Sequence, residues 1–342
     1  MKKIFIYLLA FIALPSLLKA QGCEEPSGEG VNVFGFFQPK YEYNFLEEDD
    51  TNSFGFNRAR LGVMGNIPYD FSYYMVIETS PFKDGEAVHL LDAFVTYNRF
   101  DFAKMTMGAF KTPISLEWNT ACHKLHTINR SKVVSQLVVP DRDMGFMVFG
   151  GADSTLFKYA VSVTNGTGLL QHDTNSSKDY SARVVMNINE HIKLGASGKY
   201  GECKNETEGM PDDERTRYGA DVEMSYGNFL VQGEYLYGKD VGSYTTGGGC
   251  GEEVVMNQGS IKRDGMFLMA MYKTESNFQP VLKFEYFDPN KDMDDDHEYI
   301  TTLGLNYFFN DWTKVQLNYV YAAEKGTEID NDQVMLQFTV KF

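Results

Sequence analysis

The sequence predicts an all-β fold, a transmembrane antiparallel β-barrel of about sixteen strands with a long third external loop folded into the lumen. Three observations lead to this prediction: hydrophobic alternation that recurs along the chain, an amino-terminal export signal, and connections that alternate in length. A period of two is the pattern of a β-strand with different surroundings on its two faces. When it recurs through an exported chain, lipid outside and water inside are the expected surroundings.

The last stretch of the chain, residues 332–342, shows the pattern most clearly. One face is apolar and consists of Val334, Leu336, Phe338, Val340 and Phe342. The other face is mostly polar and consists of Gln333, Met335, Gln337, Thr339 and Lys341. We expect this stretch to be the strand that closes the barrel.

Fifteen further segments alternate similarly, although residues 263–273 are ambiguous in facing. They are residues 31–46, 54–65, 71–79, 88–98, 104–112, 144–151, 156–165, 179–189, 192–201, 217–227, 229–238, 263–273, 280–287, 298–309 and 313–322. Aromatic residues near the turns suggest an interfacial girdle, as membrane barrels have at both rims. These are Tyr69, Phe71, Phe100, Phe102, Phe308, Phe309 and Trp312.

The amino terminus reads as a secretory signal peptide over residues 1–20. Lys2 and Lys3 precede an apolar run at 4–18, and a cleavage point at Ala20-Gln21 is followed at once by polar, acidic sequence. The predicted organisation is therefore a signal peptide, a short lead-in at 21–30, and a barrel at 31–342. Such a protein is expected in the bacterial outer membrane.

Composition argues against some function classes, and the positions of two cysteines predict one disulfide. The formal charge of −16 argues against nucleic acid as a partner. Four cysteines are too few to form a disulfide scaffold. Cys203 and Cys250 lie in consecutive predicted external loops, 202–215 and 239–262, and we expect them to form a disulfide because export is an oxidising route.

The connections alternate between short turns and long polar loops. The short turns cover residues 66–70, 99–103, 152–155, 189–191, 227–228 and 310–312. Long loops at one end only are characteristic of outer-membrane barrels. Residues 113–143 are the exception, since they lack clean alternation and exceed ordinary loop length, which indicates a functional or inserted segment.

Parity of the strands assigns the charges to a face. Arg58 and Arg60 alternate with apolar residues, and an arginine facing lipid near the midplane costs about 2–4 kcal/mol, so both are expected to point inward. Glu78 and Asp92 follow on the next two strands. The same parity turns ten basic and six acidic residues inward, which makes the lumen mildly basic. These charges either pair across strands and merely line the wall, or they select anions.

The histidines do not specify chemistry. His123 and His126 are three residues apart, but no carboxylate or thiol at a fixed spacing completes a metal site. No serine is placed beside a histidine as a nucleophile and base require. We therefore predict no catalytic residues, no metal and no cofactor.

Four motifs in order resemble the phosphate-selective porin O and P family. They are Phe56-Asn-Arg-Ala-Arg-Leu-Gly-Val-Met-Gly65, Asp92-Ala-Phe-Val-Thr-Tyr97, Gly108-Ala-Phe-Lys-Thr-Pro113 and Pro140-Asp-Arg-Asp-Met-Gly145. The resemblance implies a trimeric, 16-stranded, water-filled barrel with the third loop in the channel. It also implies anion preference from basic lumen residues. Arg58, Arg60, Lys111 and Arg142 lie within these motifs, so the resemblance carries them over as motif positions of the family.

The sequence thus predicts a passive channel for small hydrophilic solutes with a mild preference for phosphate-like anions, and no enzyme. The expected pore-lining residues are Arg58, Arg60, Glu78, Asp92, Lys111, Arg130, Lys132 and Arg142. Expected partners are outer-membrane lipid, lipopolysaccharide, small solutes or anions, and two further copies in a homotrimer. The alternative is a surface binding or adhesion protein that uses the barrel as a membrane anchor.

Overall fold

A computed structural model describes most of the chain beyond the amino terminus. The described residues are 30–47, 49–80, 88–169, 171–173, 176–203, 213–246, 255–326 and 329–342. Within these residues the chain forms sixteen strands, two short α-helices and a 3₁₀ turn. The predicted signal peptide lies outside the described residues.

The strands run as follows along the chain. They are β1 (Asn32–Asn44), β2 (Thr51–Ile67), β3 (Phe71–Glu78), β4 (His89–Tyr97), β5 (Lys104–Lys111), β6 (Arg142–Gly150), β7 (Phe157–Thr164), β8 (Asp179–Asn187), β9 (Ile192–Cys203), β10 (Asp213–Tyr226), β11 (Phe229–Thr246), β12 (Val255–Tyr272), β13 (Phe278–Asp288), β14 (Glu298–Phe308), β15 (Thr313–Glu324) and β16 (Gln333–Lys341). The helices are α1 (Leu116–Asn119) and α2 (Lys132–Leu137), with the 3₁₀ turn at Cys122–Lys124 between them. Among the described residues no helix is both long and apolar enough to cross a membrane.

The wall is a closed antiparallel barrel. Each strand pairs with its neighbours in sequence, and β1 also pairs with β16. Phe36 of β1 lies opposite Lys341 of β16, and two backbone bonds of 2.9 and 3.0 Å join Gly35 and Phe342. The expected strand number, antiparallel arrangement and closing strand are confirmed.

The two faces of the wall differ as the alternation predicts. On β13, Leu282 and Phe284 are exposed, whereas Lys283 and Glu285 between and after them are buried. On β16, Leu336 is exposed on the outer face, whereas Gln337 and Thr339 are buried on the inner one. Exposed apolar side chains around the outside are the surface that lipid covers in a membrane barrel.

The connections also follow the prediction at both ends of the barrel. Short turns join β2 to β3, β10 to β11 and β14 to β15, whereas the longest connection among the described residues, at 112–141, joins β5 to β6. Counted along the chain, it is the third connection at the end opposite the short turns. Its contacts are described below.

Two sequence expectations are wrong. The predicted loop at 239–262 is largely a β-ribbon, since Lys239 pairs with Lys262 and the ladder continues to Thr246 and Val255. A ribbon beyond the lipid needs backbone pairing but no apolar face, so it lacks the alternation used to recognise strands. Phe308 does not belong to an outer girdle, because it shares the inner face of β14 with Asn306 and its ring lies 6.0 Å from Lys314.

An arginine scan across one strand tests the assignment of the faces. Val161 of β7 is 48% exposed on the outer face, and its neighbour Ala160 faces inward. We expect Val161→Arg to destabilise the folded barrel in vesicles by about 2–4 kcal/mol, and Ala160→Arg to have a much smaller effect. Urea unfolding in lipid vesicles measures both. Equal losses for the two variants would contradict the assignment.

Candidate functional site

Residues 112–141, here called the inserted segment, contact the buried inner face of the barrel. The Ile128 N–H donates to Asn318 of β15 at 2.8 Å, and the Leu116 N–H donates to Glu234 of β11 at 2.9 Å. Gln38 of β1 donates to the Cys122 carbonyl at 3.3 Å. These strands are spread over much of the barrel wall, so the segment is bonded to several sides of it.

Two carboxylates of the wall accept from the first turns of the helices. Glu234 accepts from the N–H groups of Leu116 and Glu117 at 2.9 and 3.1 Å. Ser115 caps α1, since its hydroxyl accepts from the Trp118 N–H and donates to Glu234, both at 3.0 Å. Glu285 accepts from the first N–H of α2, that of Lys132, at 2.6 Å. These bonds satisfy donors that a short helix leaves open.

Apolar packing adds a second attachment. Side chains of the inserted segment pack on inner-face side chains of β11, β12 and β13 in one buried cluster. Its core members are Ile114, Val133, Val134, Leu137, Val138, Leu236, Phe267, Met269, Met271, Val281 and Phe287. Burial of this size removes much apolar surface from water, which favours one fixed position of the segment.

The middle of the segment is held through its carbonyl groups. Lys314 of β15 donates to the Leu125 carbonyl at 2.5 Å, and Asn306 of β14 donates to the His126 carbonyl at 2.8 Å. Gln316 donates to both carbonyls, at 3.3 and 3.2 Å. Amide side chains on the inner face thereby replace the water that a loop in solvent would bind.

Three of the predicted pore-lining residues lie together beside the segment. Arg60 pairs with Glu78 at 2.8 Å, and Glu78 also accepts from the Ala59 N–H at 2.8 Å. Arg58 donates to Gln38 at 3.0 Å, and no ion pair to a carboxylate is formed by it within the described residues. The expected pairing of Glu78 with an arginine of the preceding strand is thus present.

Three more of the predicted pore-lining residues lie around the ring of Trp118. The cationic groups of Lys111, Arg130 and Arg142 lie 5.2, 4.5 and 5.6 Å from the centre of its ring. At such distances the ring face attracts a cation. Arg142 also pairs with Asp92 at 3.0 Å. The sequence contained Trp118 but gave it no role.

Cys122 lies among the same cations, which sequence reasoning missed. Its sulfur is 3.2 Å from an Arg60 nitrogen and 3.5 Å from an Arg130 nitrogen. Burial raises the pKa of the Cys122 thiol, but Arg60, Arg58 and Arg130 outweigh burial and hold the pKa well below its usual range. Cys122 is a free thiol. A stretch of sequence cannot show that cations from β2 meet a cysteine sixty residues later.

Lys132 lies apart from this group. Its ammonium pairs with Glu298 of β14, on a different part of the wall from Arg58 and Arg60. Lys132 is two residues from Arg130 in the chain, but its ammonium bonds to the wall, whereas the Arg130 guanidinium lies over Trp118.

Most other charges of the inner face are paired. The pairs include Arg183 with Asp221 at 2.6 Å, Lys193 with Glu223 at 3.0 Å, Lys199 with Asp179 at 3.1 Å, Arg217 with Asp240 at 2.5 Å and Lys283 with Glu285 at 2.8 Å. Of the two roles that the sequence left open for wall charges, pairing with one another and selecting anions, these residues show pairing. The basic side chains without a carboxylate partner among the described residues concentrate at the inserted segment and include Arg58, Lys111, Lys124, Arg130 and Lys314.

The histidines of the segment add no positive charge at neutral pH. Burial lowers the pKa of His123 and of His126 to about 4. His126 contacts Gln279 at 3.2 Å. In the described part of the chain no group of three His, Cys, Asp or Glu side chains is arranged to hold a metal ion. The predicted disulfide cannot be placed, because Cys250 and the Cys203 side chain lie outside the described residues.

A cavity of about 840 Å³ lies beside the inserted segment. One side is formed by Leu116 and Lys124 of the segment, next to Lys111 at the end of β5. The other side is formed by β3 to β10, and it carries the pairs of Arg183 and Lys193. The segment therefore leaves open space along one part of the inner wall.

A family model and three solved structures can now be compared with this arrangement. The model of the phosphate-selective porin O and P family matches residues 32–210 and 204–341. The chain belongs to this family. Porin O and P membership makes it a channel protein of the outer membrane, and it confirms the resemblance carried by the four sequence motifs. No curated protein matches the chain in sequence.

Solved structures share the fold at low sequence identity. OmpT of Vibrio cholerae in its trimer form has a TM-score of 0.66 at 14% identity, covering 92% of this chain and 100% of that one. The anion-selective porin from Comamonas acidovorans has a TM-score of 0.67 at 12% identity, and the match covers 91% of this chain and 98% of that one. The outer membrane channel DcaP of Acinetobacter baumannii has a TM-score of 0.67 at 14% identity, and the match covers 94% of this chain and 99% of that one. This porin therefore has the fold of outer-membrane channels.

Removing the carboxylate of Glu234 tests how the segment is held against the wall. Glu234→Ala leaves two buried N–H groups and a hydroxyl without their acceptor, and each lost partner costs about 1–3 kcal/mol. We expect faster hydrogen–deuterium exchange at Leu116 and Glu117. Glu223→Ala is the matched control, since Glu223 is an inner-face carboxylate that bonds Lys193 and Gln232 but not the segment. Unchanged exchange in Glu234→Ala would contradict the anchoring role.

Proposed function

We propose that this porin is a passive, water-filled channel for small hydrophilic solutes, with the inserted segment lying inside the barrel as its narrowest point. One observation carries the proposal: the segment is bonded to the inner face of the wall at β1, β11, β13, β14 and β15, and it leaves a cavity along β3 to β10. A segment packed against the wall is fixed in position, so the open space beside it has a defined size. Solutes of that size pass, and larger ones are excluded.

The proposed selectivity is a mild preference for anions. Arg58, Arg60, Lys111 and Arg130 come close together where the segment meets β2 and β5, and Glu78 neutralises one of them. The guanidinium groups stay charged at all working pH values and offer planar donors to phosphate or carboxylate oxygens. Cys122 lies among the same cations, and they lower the pKa of its thiol.

The acidic external loops act against anion entry, but salt weakens their effect. Exposed charges interact weakly beyond about 8 Å at physiological ionic strength. Charges in the narrowest part of a channel are screened less, so the basic group beside the segment has the larger influence on permeation. Paired charges elsewhere on the wall contribute little net field.

The remaining expectations belong to the same proposal. The chain is exported with a cleaved signal peptide at residues 1–20, and three copies assemble in the outer membrane in contact with lipopolysaccharide. The similarity to the OmpT structure in trimer form supports the trimer. The protein is a channel and not an enzyme. The alternative, an adhesion protein anchored by the barrel, would give no conductance steps in a planar bilayer.

Removing the centre of the segment tests its place in the channel. Deleting residues 123–132 removes the carbonyl groups that Lys314 and Asn306 hold, while the strands keep their own pairing. We expect the single-channel conductance to rise because the narrowest point widens. A folded variant is identified by its heat-dependent gel mobility. If such a variant conducts like the wild type, the segment does not limit the channel.

Replacing the two arginines of β2 tests the selectivity. Arg58→Ala with Arg60→Ala removes two positive charges, and we expect the reversal potential under a potassium chloride gradient to shift toward cation preference. Arg99→Ala is the control, because Arg99 lies at a short turn and pairs with the exposed Asp70. A wild-type channel that prefers cations, or a double variant with an unmoved reversal potential, would refute the assignment.

A further inference from the structure

The inner face of the barrel carries apolar side chains on two sides, and the inserted segment covers only one of them. On β11 to β13, Phe267 and Met269 are buried beneath Val133 and Leu137. On β4 and β6, Phe94, Met147 and Phe149 line the cavity and keep part of their surface exposed. Apolar surface left open to water inside a channel is unfavourable unless something apolar occupies it.

The uncovered side is aromatic and has a preferred contact geometry. Phe94 stacks on Tyr74 of β3 with ring centres 5.1 Å apart and an angle of 16° between the rings. Tyr74 also contacts Phe34 of β1 at 5.1 Å. Rings supported in this way are held in fixed orientations, and their exposed faces can stack with another flat ring.

Two cations that have no carboxylate partner also line the cavity. Lys111 lies 3.3 Å from the Trp118 carbonyl, and Lys124 of the 3₁₀ turn is exposed. Neither forms an ion pair with a carboxylate among the described residues. The other charges that line the cavity are paired, as Arg183 is with Asp221 and Lys193 with Glu223.

We propose that this cavity binds aromatic carboxylates, with the ring of the solute against Phe94 and Phe149 and its carboxylate toward Lys111 and Lys124. The proposal rests on the channel function and deepens it by naming a solute class. The volume of about 840 Å³ is in the range of small-molecule sites, which combine an apolar lining with a few polar groups that fix orientation. A small inorganic anion uses the lysines but leaves the aromatic wall uncovered. A neutral aromatic solute uses the wall but leaves the lysines unpaired.

Binding is measured on the folded protein in detergent by ¹⁹F NMR, which requires no conductance. The probe is 4-fluorobenzoate, and 4-fluorobenzamide is its neutral counterpart of similar size. We expect 4-fluorobenzoate to bind at least about tenfold more tightly than the amide. Equal affinity for the two probes would overturn the proposal, because the cations would then have no part in recognition.

Variants identify the wall that binds the ring. Phe94→Ala and Phe149→Ala, made separately and checked for folding by heat-dependent gel mobility, should each weaken 4-fluorobenzoate binding about tenfold. Lys124→Gln should reduce the preference for 4-fluorobenzoate over 4-fluorobenzamide. Phe146→Ala is the matched control, since Phe146 lies on β6 next to Met147 but is 43% exposed on the lipid-facing side. Wild-type affinity in both Phe94→Ala and Phe149→Ala would overturn the proposal.

A second measurement separates this inference from the channel function. Chloride current through single channels is recorded while 4-fluorobenzoate or acetate is added, and the proposal expects a saturable block by 4-fluorobenzoate at about tenfold lower concentration. Block at the same concentration by both anions would overturn the aromatic site but leave the channel intact. Probe binding by a protein that does not conduct would overturn the channel function alone.

Discussion

Closure of the wall between β1 and β16 is the constraint on which the rest of this structure depends. A backbone N–H or carbonyl facing lipid has no water to bond, so a sheet in a membrane cannot keep a free edge. The pairing of Phe36 with Lys341 and of Tyr41 with Leu336 removes that edge. Once the ring is closed, the parity of every strand is fixed, and one residue in two faces an enclosed interior. The polar and charged side chains of the strands then have to be arranged on that inner face.

The inserted segment packs on the inner face of this wall. Its backbone donors and acceptors are satisfied by wall side chains such as Glu234, Glu285 and Asn306. Its apolar side chains cover Phe267 and Met269, which would otherwise face water. The inner face of β12 is apolar for this reason, and it explains why the alternation of residues 263–273 is ambiguous. A strand between lipid and a packed segment is apolar on both faces.

The charges of the interior show why composition is a poor guide to selectivity. Counting by parity gives a mildly basic wall, but many of those charges are paired, as Arg183 is with Asp221. A pair contributes little field to a passing ion. The basic group beside the segment exists because Arg58 and Arg60 come from β2, Lys111 from β5 and Arg130 from the segment itself. Its partial neutralisation by Glu78 depends on the same folding.

By itself, the sequence determined the barrel, its strand number, the place of its closing strand and the inward direction of Arg58 and Arg60. These follow from local alternation and from the cost of placing a charge in lipid, which act on each strand separately. It also indicated that residues 113–143 are unusual, and that Glu78 and Asp92 can pair with arginines. Only the tertiary structure decided that Arg142 meets Asp92, that Trp118 and Cys122 lie among the cations, and that Lys132 turns toward Glu298 instead. Those contacts join residues far apart in the chain, and no periodicity along a sequence records which parts of a wall a folded segment will touch.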